Sequence, residues 1–175
     1  MVAFDSTYLS LILNPASPPP VDASTKKPVE QAKERIDFLI LTLEKQKEKI
    51  LIPTPVLGEV LVLSGKSGPD YLARLERSSH FEFGDFDRRV AVEFATSVAM
   101  AKGAGDKRRG MAKTWAKAKF DEQVVAIAKV HNVIAIYSDD KDIADLCATT
   151  LIKVIPVREL SEPPEEQAEL PFDQT

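Results

Sequence analysis

Short apolar runs alternate along this chain with longer stretches in which apolar residues recur at helical spacing. Consecutive β-favouring residues without a polar face are typical of strands buried on both faces of a sheet. Strands separated by helices favour parallel pairing, because each helix carries the chain back to the same end of the sheet. We therefore predict a three-layer α/β domain with a mainly parallel sheet, with strands at 2–4, 50–52, 81–83, 133–137 and 152–155.

The same pattern predicts where individual helices lie. Apolar positions three and four residues apart predict a surface helix from about 29 to 49. Thr54 before Pro55 is typical of an N-cap followed by the first helical position. Asp121 is expected to open a helix, since acids favour helix N-termini. A separate basic helical segment is expected before it, with Trp115 in the core.

The predicted elements fill one domain, residues 1–160, within a chain of 175 residues. Residues 15–28 are rich in proline, which cannot donate to a strand ladder, and are predicted to form an insertion loop. Residues 161–175 are acidic and offer few apolar groups to bury, so they are predicted to form a disordered tail.

Cysteine use and hydropathy bear on the compartment. Cys147 is the single cysteine and lies in an apolar helical pattern, which favours a core residue over a nucleophile. A lone cysteine fits a reducing compartment. The sequence shows neither the basic region and apolar run of a signal peptide nor a segment long enough to span a bilayer. These observations predict a soluble, cytoplasmic protein without membrane association.

Carboxylates recur where the predicted strands end. Asp5 follows the first strand, and Ser138, Asp139 and Asp140 follow the fourth. In open parallel sheets this edge is where sites are built, because helices cover the faces and leave the strand ends open to ligands. Each acid taken alone could instead be a helix N-cap, which is a common role for such residues.

Two further acids, Glu59 and Asp121, fall near the predicted starts of helices that flank the sheet, so four carboxylates can converge on one edge. Glu59 has apolar helical neighbours; it is costly to bury without a partner or cation, and innocuous if it faces solvent. Four like charges cannot stay ionised together without a cation, and oxygen ligands select Mg²⁺ or Mn²⁺. Such a site suits phosphodiester hydrolysis.

Four segments in this order resemble the PIN domain nucleases, a family that includes the toxins of toxin–antitoxin pairs. The resemblance covers nearly everything from Val2 to Val157. In the family's pattern the fourth acid stands before Lys-Asp, which points to Asp140 rather than Asp139. The segments are FDST at 4–7, IPTPVLGEVL at 52–61, FDEQVVAIA at 120–128 and YSDDKDI at 137–143.

The resemblance implies an endoribonuclease that uses Mg²⁺ or Mn²⁺ and a nucleophilic water to cleave single-stranded or structured RNA. Its implied partners are RNA, an antitoxin protein and a second copy of the chain in a homodimer. In this interpretation Asp5, Glu59, Asp121 and Asp140 are both catalytic and metal-binding, and Ser6, Ser138 and Asp142 support them.

The formal net charge of −4 hides an uneven distribution. Residues 102–119 hold seven bases and one acid, whereas residues 159–175 hold six acids and no base. A concentrated basic segment is typical of contacts to nucleic-acid phosphates. The residues predicted to bind RNA are Lys107, Arg108, Arg109, Lys113, Lys117 and Lys119.

Two other classes of function stay open. A catalytically silent PIN-like domain would bind RNA or a protein without cleaving anything. A HAD-type phosphatase also places an Asp after the first strand, but it needs a second acid two positions later, where this chain has Thr7. Hydrolysis of single-stranded RNA and of a small phosphomonoester, each with Mn²⁺ and with EDTA, distinguishes the three classes.

Overall fold

The computed structural model describes residues 1–14, 16–103 and 114–164. Within these ranges the strands are β1 (Val2–Phe4), β2 (Ile50–Pro53), β3 (Phe81–Gly84), β4 (Ala135–Tyr137) and β5 (Lys153–Ile155). The α-helices are α1 (Ser6–Leu13), α2 (Ala32–Lys45), α3 (Thr54–Ser64), α4 (Gly68–Arg77), α5 (Arg88–Gly103), α6 (Trp115–Val130) and α7 (Lys141–Cys147). Short 3-10 turns lie at Gly65–Ser67 and Val157–Glu159.

All described strand pairs are parallel, and the order across the sheet is β3-β2-β1-β4-β5. Phe4 of β1 is paired with Tyr137 of β4, so these two central strands end side by side. The order of the strands reverses between β1 and β4, which makes their exits the topological switch point of the sheet. The predicted three-layer α/β architecture is confirmed.

Different helices cover the two faces of the sheet, because alternate strand residues point to opposite sides. Val2 and Phe4 join one cluster of buried residues, together with residues of α1 and α2. Ala3, between them, joins a second cluster with residues of α3, α6 and α7. Burial on both faces explains why the strands are apolar without a polar alternation.

Helix α6 runs unbroken from Trp115 to Val130, so the predicted helix start at Asp121 is wrong. Thr114 is the N-cap, and its hydroxyl accepts a hydrogen bond from the amide of Lys117 at 3.4 Å. Neither glycine nor proline interrupts the sequence between these ends, so nothing in it breaks the helix. Asp121 therefore lies in the second turn, where its side chain is buried.

Two smaller expectations are also wrong. Pro53 takes the N-cap position of α3 and Thr54 is the first helical residue, with no side-chain cap. Trp115 keeps 39% of its surface exposed instead of lying in the core. It occupies the first position of α6, where a side chain has fewer neighbours to pack against.

The proline-rich segment makes turns and an isolated bridge rather than a ladder. Val21 and Pro28 form that antiparallel bridge. The carboxylate of Asp22 accepts a hydrogen bond from the Ser24 amide at 2.6 Å, and its Oδ1 lies 3.6 Å from a guanidinium nitrogen of Arg158. The loop is thus tied to the chain that follows β5.

Some predictions fall outside the described residues. These are the roles of Lys107, Arg108, Arg109 and Lys113 in the basic segment and the disordered tail from residue 165 onward. The single domain over residues 1–160 stays a prediction. Among the described helices, none is long and apolar enough to cross a membrane.

Candidate active site

The candidate site lies where β1 and β4 leave the sheet. Asp5 follows β1 directly, and its amide donates to the carbonyl of Tyr137 at 3.1 Å. Ser138 follows β4, and its amide donates to the carbonyl of Ile155 at 3.1 Å. These backbone hydrogen bonds extend the sheet by one residue and fix the backbone positions of Asp5 and Ser138.

Asp5 is held by two hydrogen bonds. As N-cap of α1 it accepts from the Ser6 amide on Oδ1 at 2.7 Å. Its Oδ2 accepts from the Ser138 hydroxyl at 2.6 Å. Burial raises the pKa of Asp5 above its ordinary value, and the bonds from Ser138 and Ser6 oppose that shift. Ser138 therefore holds the Asp5 carboxylate in place; its supporting role in a reaction stays a prediction.

The Ser138 hydroxyl also connects Asp5 to the start of α7. Its Oγ accepts a hydrogen bond from the Asp140 amide at 3.0 Å. Asp140 in turn is the N-cap of α7, and its Oδ1 accepts from the Asp142 amide at 2.8 Å. Of the acids that follow β4, Asp140 is therefore the one that caps the helix.

Asp139 and Asp140 point to different places. The carboxylate of Asp139 lies 3.3 and 3.5 Å from the Val157 amide, beyond the end of β5. Burial raises the pKa of Asp139, opposed by that amide and by Arg158. Successive side chains diverge as a chain leaves a strand, and here they separate the two acids.

Three carboxylates meet beside Asp140, and we call Asp121, Asp140 and Asp142 the carboxylate cluster. One oxygen of each residue lies within 4.8 Å of the others. Asp121 and Asp142 are buried, whereas Asp140 is partly exposed, so solvent reaches the cluster at Asp140. An all-carboxylate donor set of this spacing fits a hard divalent ion such as Mg²⁺ or Mn²⁺.

Lys117 reaches into this cluster. Its ammonium forms an ion pair with Asp121 and lies 2.9 Å from Oδ2 of Asp140. Burial disfavours the charged ammonium, but hydrogen bonds and attraction from these two carboxylates outweigh it and raise the pKa of Lys117. The structure thus places Lys117 against the acids, whereas Lys119, also predicted to bind RNA, is exposed with its Nζ 5.9 Å from the Trp115 ring centre.

The sequence does contain a signal for this contact. Lys117 and Asp121 are four residues apart, a spacing that brings side chains together on one helix. The predicted helix start at Asp121 places the two residues in different elements, so the sequence analysis does not predict their contact.

Two of the four predicted catalytic acids lie outside the carboxylate cluster. Asp5 is connected to it through the Ser138 hydroxyl, which donates to Asp5 and accepts from the Asp140 amide. The other is Glu59. It lies on an exposed part of α3, whose buried residues are Val56 and Val60. Asp142, predicted only to support the site, is in the cluster instead. The Ser6 amide donates a hydrogen bond to Asp5, and Ser6 also lines a cavity of about 400 Å³ between α1 and α3.

No protein-family model and no curated protein sequence matches this chain significantly. The parallel sheet with its flanking helices nevertheless has the PIN-domain fold, as structural comparison shows. A chain of VapBC2 from Rickettsia felis, solved with a DNA fragment from its promoter, matches with a TM-score of 0.55 and 13% identity over 89% of this chain and 98% of that chain. At this identity the match confirms the fold predicted from the PIN resemblance.

A second match is Mycobacterium tuberculosis VapC20, described as a toxin that cleaves the sarcin–ricin loop. Its TM-score is 0.48, with 12% identity over 82% of this chain and 93% of that chain. The fold assignment rests on the Rickettsia structure.

Proposed function

We propose that this protein is a divalent-metal-dependent endoribonuclease. The observation that carries the proposal is the carboxylate cluster at the exits of β1 and β4 in a PIN-type fold. Structural acids are usually dispersed or individually paired, because like charges in close contact raise one another's pKa. Three carboxylates gathered at the switch point of a parallel sheet are therefore better explained as ligands than as stabilising groups.

Asp121, Asp140 and Asp142 would hold the divalent ion. When bound, the ion supplies a Lewis acid that lowers the pKa of water and offsets the charge that develops on the phosphate oxygens. The chain contributes positioning: Asp140 is fixed by its capping bond to the Asp142 amide, and Asp5 by the Ser138 hydroxyl. Carboxylates fixed before substrate arrives need no reorganisation during the reaction.

The direct test measures cleavage of single-stranded RNA with Mn²⁺ and with EDTA, next to a small phosphomonoester. We expect RNA cleavage that needs the metal and no hydrolysis of the monoester. Cleavage that persists after exhaustive chelation would contradict the metal mechanism. Hydrolysis of the monoester alone would support a phosphatase, and metal-independent RNA binding without cleavage would support a silent binding domain.

We further propose that the nuclease is a toxin that acts with an antitoxin protein and forms a homodimer in the cytoplasm. The support is the fold it shares with a chain of the VapBC2 complex. Induced expression of the wild-type chain should arrest growth, and Asp121→Asn should not, at equal protein levels. Light scattering of the purified chain measures whether two copies associate.

The basic residues of α6 are proposed to contribute to RNA binding through Lys119. Its side chain is exposed at the same end of α6 as the carboxylate cluster. Lys119→Gln should weaken RNA binding and reduce the slope of log affinity against log salt by about one, as one phosphate contact predicts. An unchanged slope would contradict this contact.

A further inference from the structure

Lys117 forms ion pairs with acids of the candidate site, whereas a lysine that contacts RNA is expected to extend into solvent. Its ammonium is shared between Asp121 and Asp140, which come from different elements, α6 and the cap of α7. The Asp121 side chain is fully buried, while the Lys117 side chain is 38% exposed, so the lysine reaches inward from the rim. These two acids are members of the carboxylate cluster.

The contact differs from two other lysine ion pairs, whose lysines lie on α6 and α7. Lys129 of α6 is bound to Glu93 of α5 at 3.0 Å, and Lys141 of α7 to Asp145 at 2.7 Å. In each of those pairs the acid lies outside the carboxylate cluster. Lys117 alone among these three contacts carboxylates that a divalent ion would also use.

Two cations at close range compete for the same carboxylates. The ammonium hydrogen-bonds the carboxylates of both residues, and a hard divalent ion needs direct contact with carboxylate oxygens. Two positive charges a few ångströms apart in a partly buried site repel strongly, since the local dielectric is lower than that of water. Lys117 and a divalent ion would therefore compete for this position.

We propose that Lys117 is an internal cation that offsets part of the charge of the carboxylate cluster in the metal-free protein and has to be displaced when a divalent ion binds. The inference rests on the metal site of the proposed function. Its consequence is a pair of effects with opposite signs. Removing the ammonium tightens metal binding, because the competitor is gone, and destabilises the metal-free fold, because the carboxylates then repel one another.

A purely structural ion pair would not show both signs. If Lys117 only tied α6 to α7, its removal would lower the stability of the protein with and without metal, and metal affinity would fall or stay the same. If Lys117 helped to hold the ion through the carboxylates, affinity would fall. An increase in affinity therefore distinguishes competition from either role.

The test uses the full chain as wild type, Lys117→Gln and the control Lys119→Gln, which removes a charge from the same helix without touching the acids. Mn²⁺ affinity is measured by calorimetric titration, and thermal unfolding with EDTA and with saturating Mn²⁺. For Lys117→Gln we expect about tenfold tighter Mn²⁺ binding, since one nearby charge is removed, together with a lower Tm in EDTA and a smaller deficit with Mn²⁺. Lys119→Gln should match wild type in all three.

Equal or weaker Mn²⁺ binding by folded Lys117→Gln would overturn the inference and leave the metal site standing. Absence of Mn²⁺ binding by every variant would overturn the metal site itself. If Lys117→Gln does not fold, Lys117→Met keeps the apolar stem and takes its place. In the unchanged protein, the ¹³Cε resonance of Lys117 should shift on Mg²⁺ titration while that of Lys119 does not; equal shifts, or none, would refute displacement.

Discussion

Strands β1, β2 and β4 each lead into a helix. The acids that follow β1 and β4 occupy different helix positions from the acid that follows β2. After β1 and β4, Asp5 and Asp140 are N-caps, and each accepts a hydrogen bond from a backbone amide of the helix it opens. At the end of β2, Pro53 takes the cap position, and Glu59 lies further along α3 on an exposed surface.

The difference shows what a strand exit contributes to a site. A capping acid is fixed by the backbone, so its carboxylate loses little freedom when it binds an ion. An exposed helical glutamate has to be ordered when it binds, at a cost in side-chain entropy. Capping after β1 and β4 thus gives preorganised carboxylates, whereas the Glu59 side chain would have to be ordered by whatever binds it.

The largest effect should follow from removing a capping ligand. Asp140→Asn leaves a side-chain oxygen that can still accept from the Asp142 amide, but removes the charge that would hold the metal. RNA cleavage should fall roughly a thousandfold, since metal binding accounts for several kcal/mol of the barrier. Circular dichroism and Tm should show an intact fold. Near-normal cleavage would mean that the capped exit is structural only.

The second test compares the two regions directly through Asp142→Asn and Glu59→Gln. Asp142 is buried in the carboxylate cluster, so its loss should cost on the order of a hundredfold in cleavage, against about tenfold or less for exposed Glu59. Asp145→Asn, on the exposed side of α7, controls for charge loss in that helix. A larger loss for Glu59→Gln would show that α3 moves toward the cluster when RNA or metal binds.

A smaller effect is expected from the hydroxyl that joins the two exits. Ser138→Ala removes the hydrogen bond to the buried Asp5 carboxylate and should cost about 2 kcal/mol of unfolding free energy. Cleavage should fall by roughly tenfold to a hundredfold, as for other groups that orient ligands.

The control for that variant is Ser97→Ala. The Ser97 hydroxyl donates to buried Glu122 at 3.1 Å, and neither residue belongs to the cluster, so the two offer a matched buried serine–carboxylate pair. It should lower stability without a comparable loss of cleavage. Equal activity losses in both variants would mean that Ser138 acts through stability alone.

The smallest effect belongs to the second acid of the β4 exit. Asp139 faces the Val157 amide rather than the carboxylate cluster, so Asp139→Asn should retain most RNA cleavage. Comparing the RNA cleavage rates of Asp139→Asn and Asp140→Asn measures how much the roles of these adjacent residues differ. The reverse order of activity would place the metal-binding acid one residue earlier.

The sequence alone determined the layers of this fold. Apolar runs at β1, β2 and β4 predicted strands buried on both faces, because no polar alternation was available for a solvent-facing side. The acids at the ends of β1 and β4 predicted a site at that edge, since parallel strands end together. Both inferences depend on local sequence patterns, which can be recognised without knowing the tertiary structure.

Only the tertiary structure decided which acids meet. Asp121 and Asp142 are buried because α6 and α7 pack against each other and the sheet, while Glu59 faces outward from α3. The orientation of a helix about its axis depends on all its packing partners, and a candidate acid alone does not reveal it. The ion pair of Lys117 with Asp121 and Asp140 likewise needed α6 to be continuous and α7 to lie beside it, because contacts between distant elements are fixed by packing.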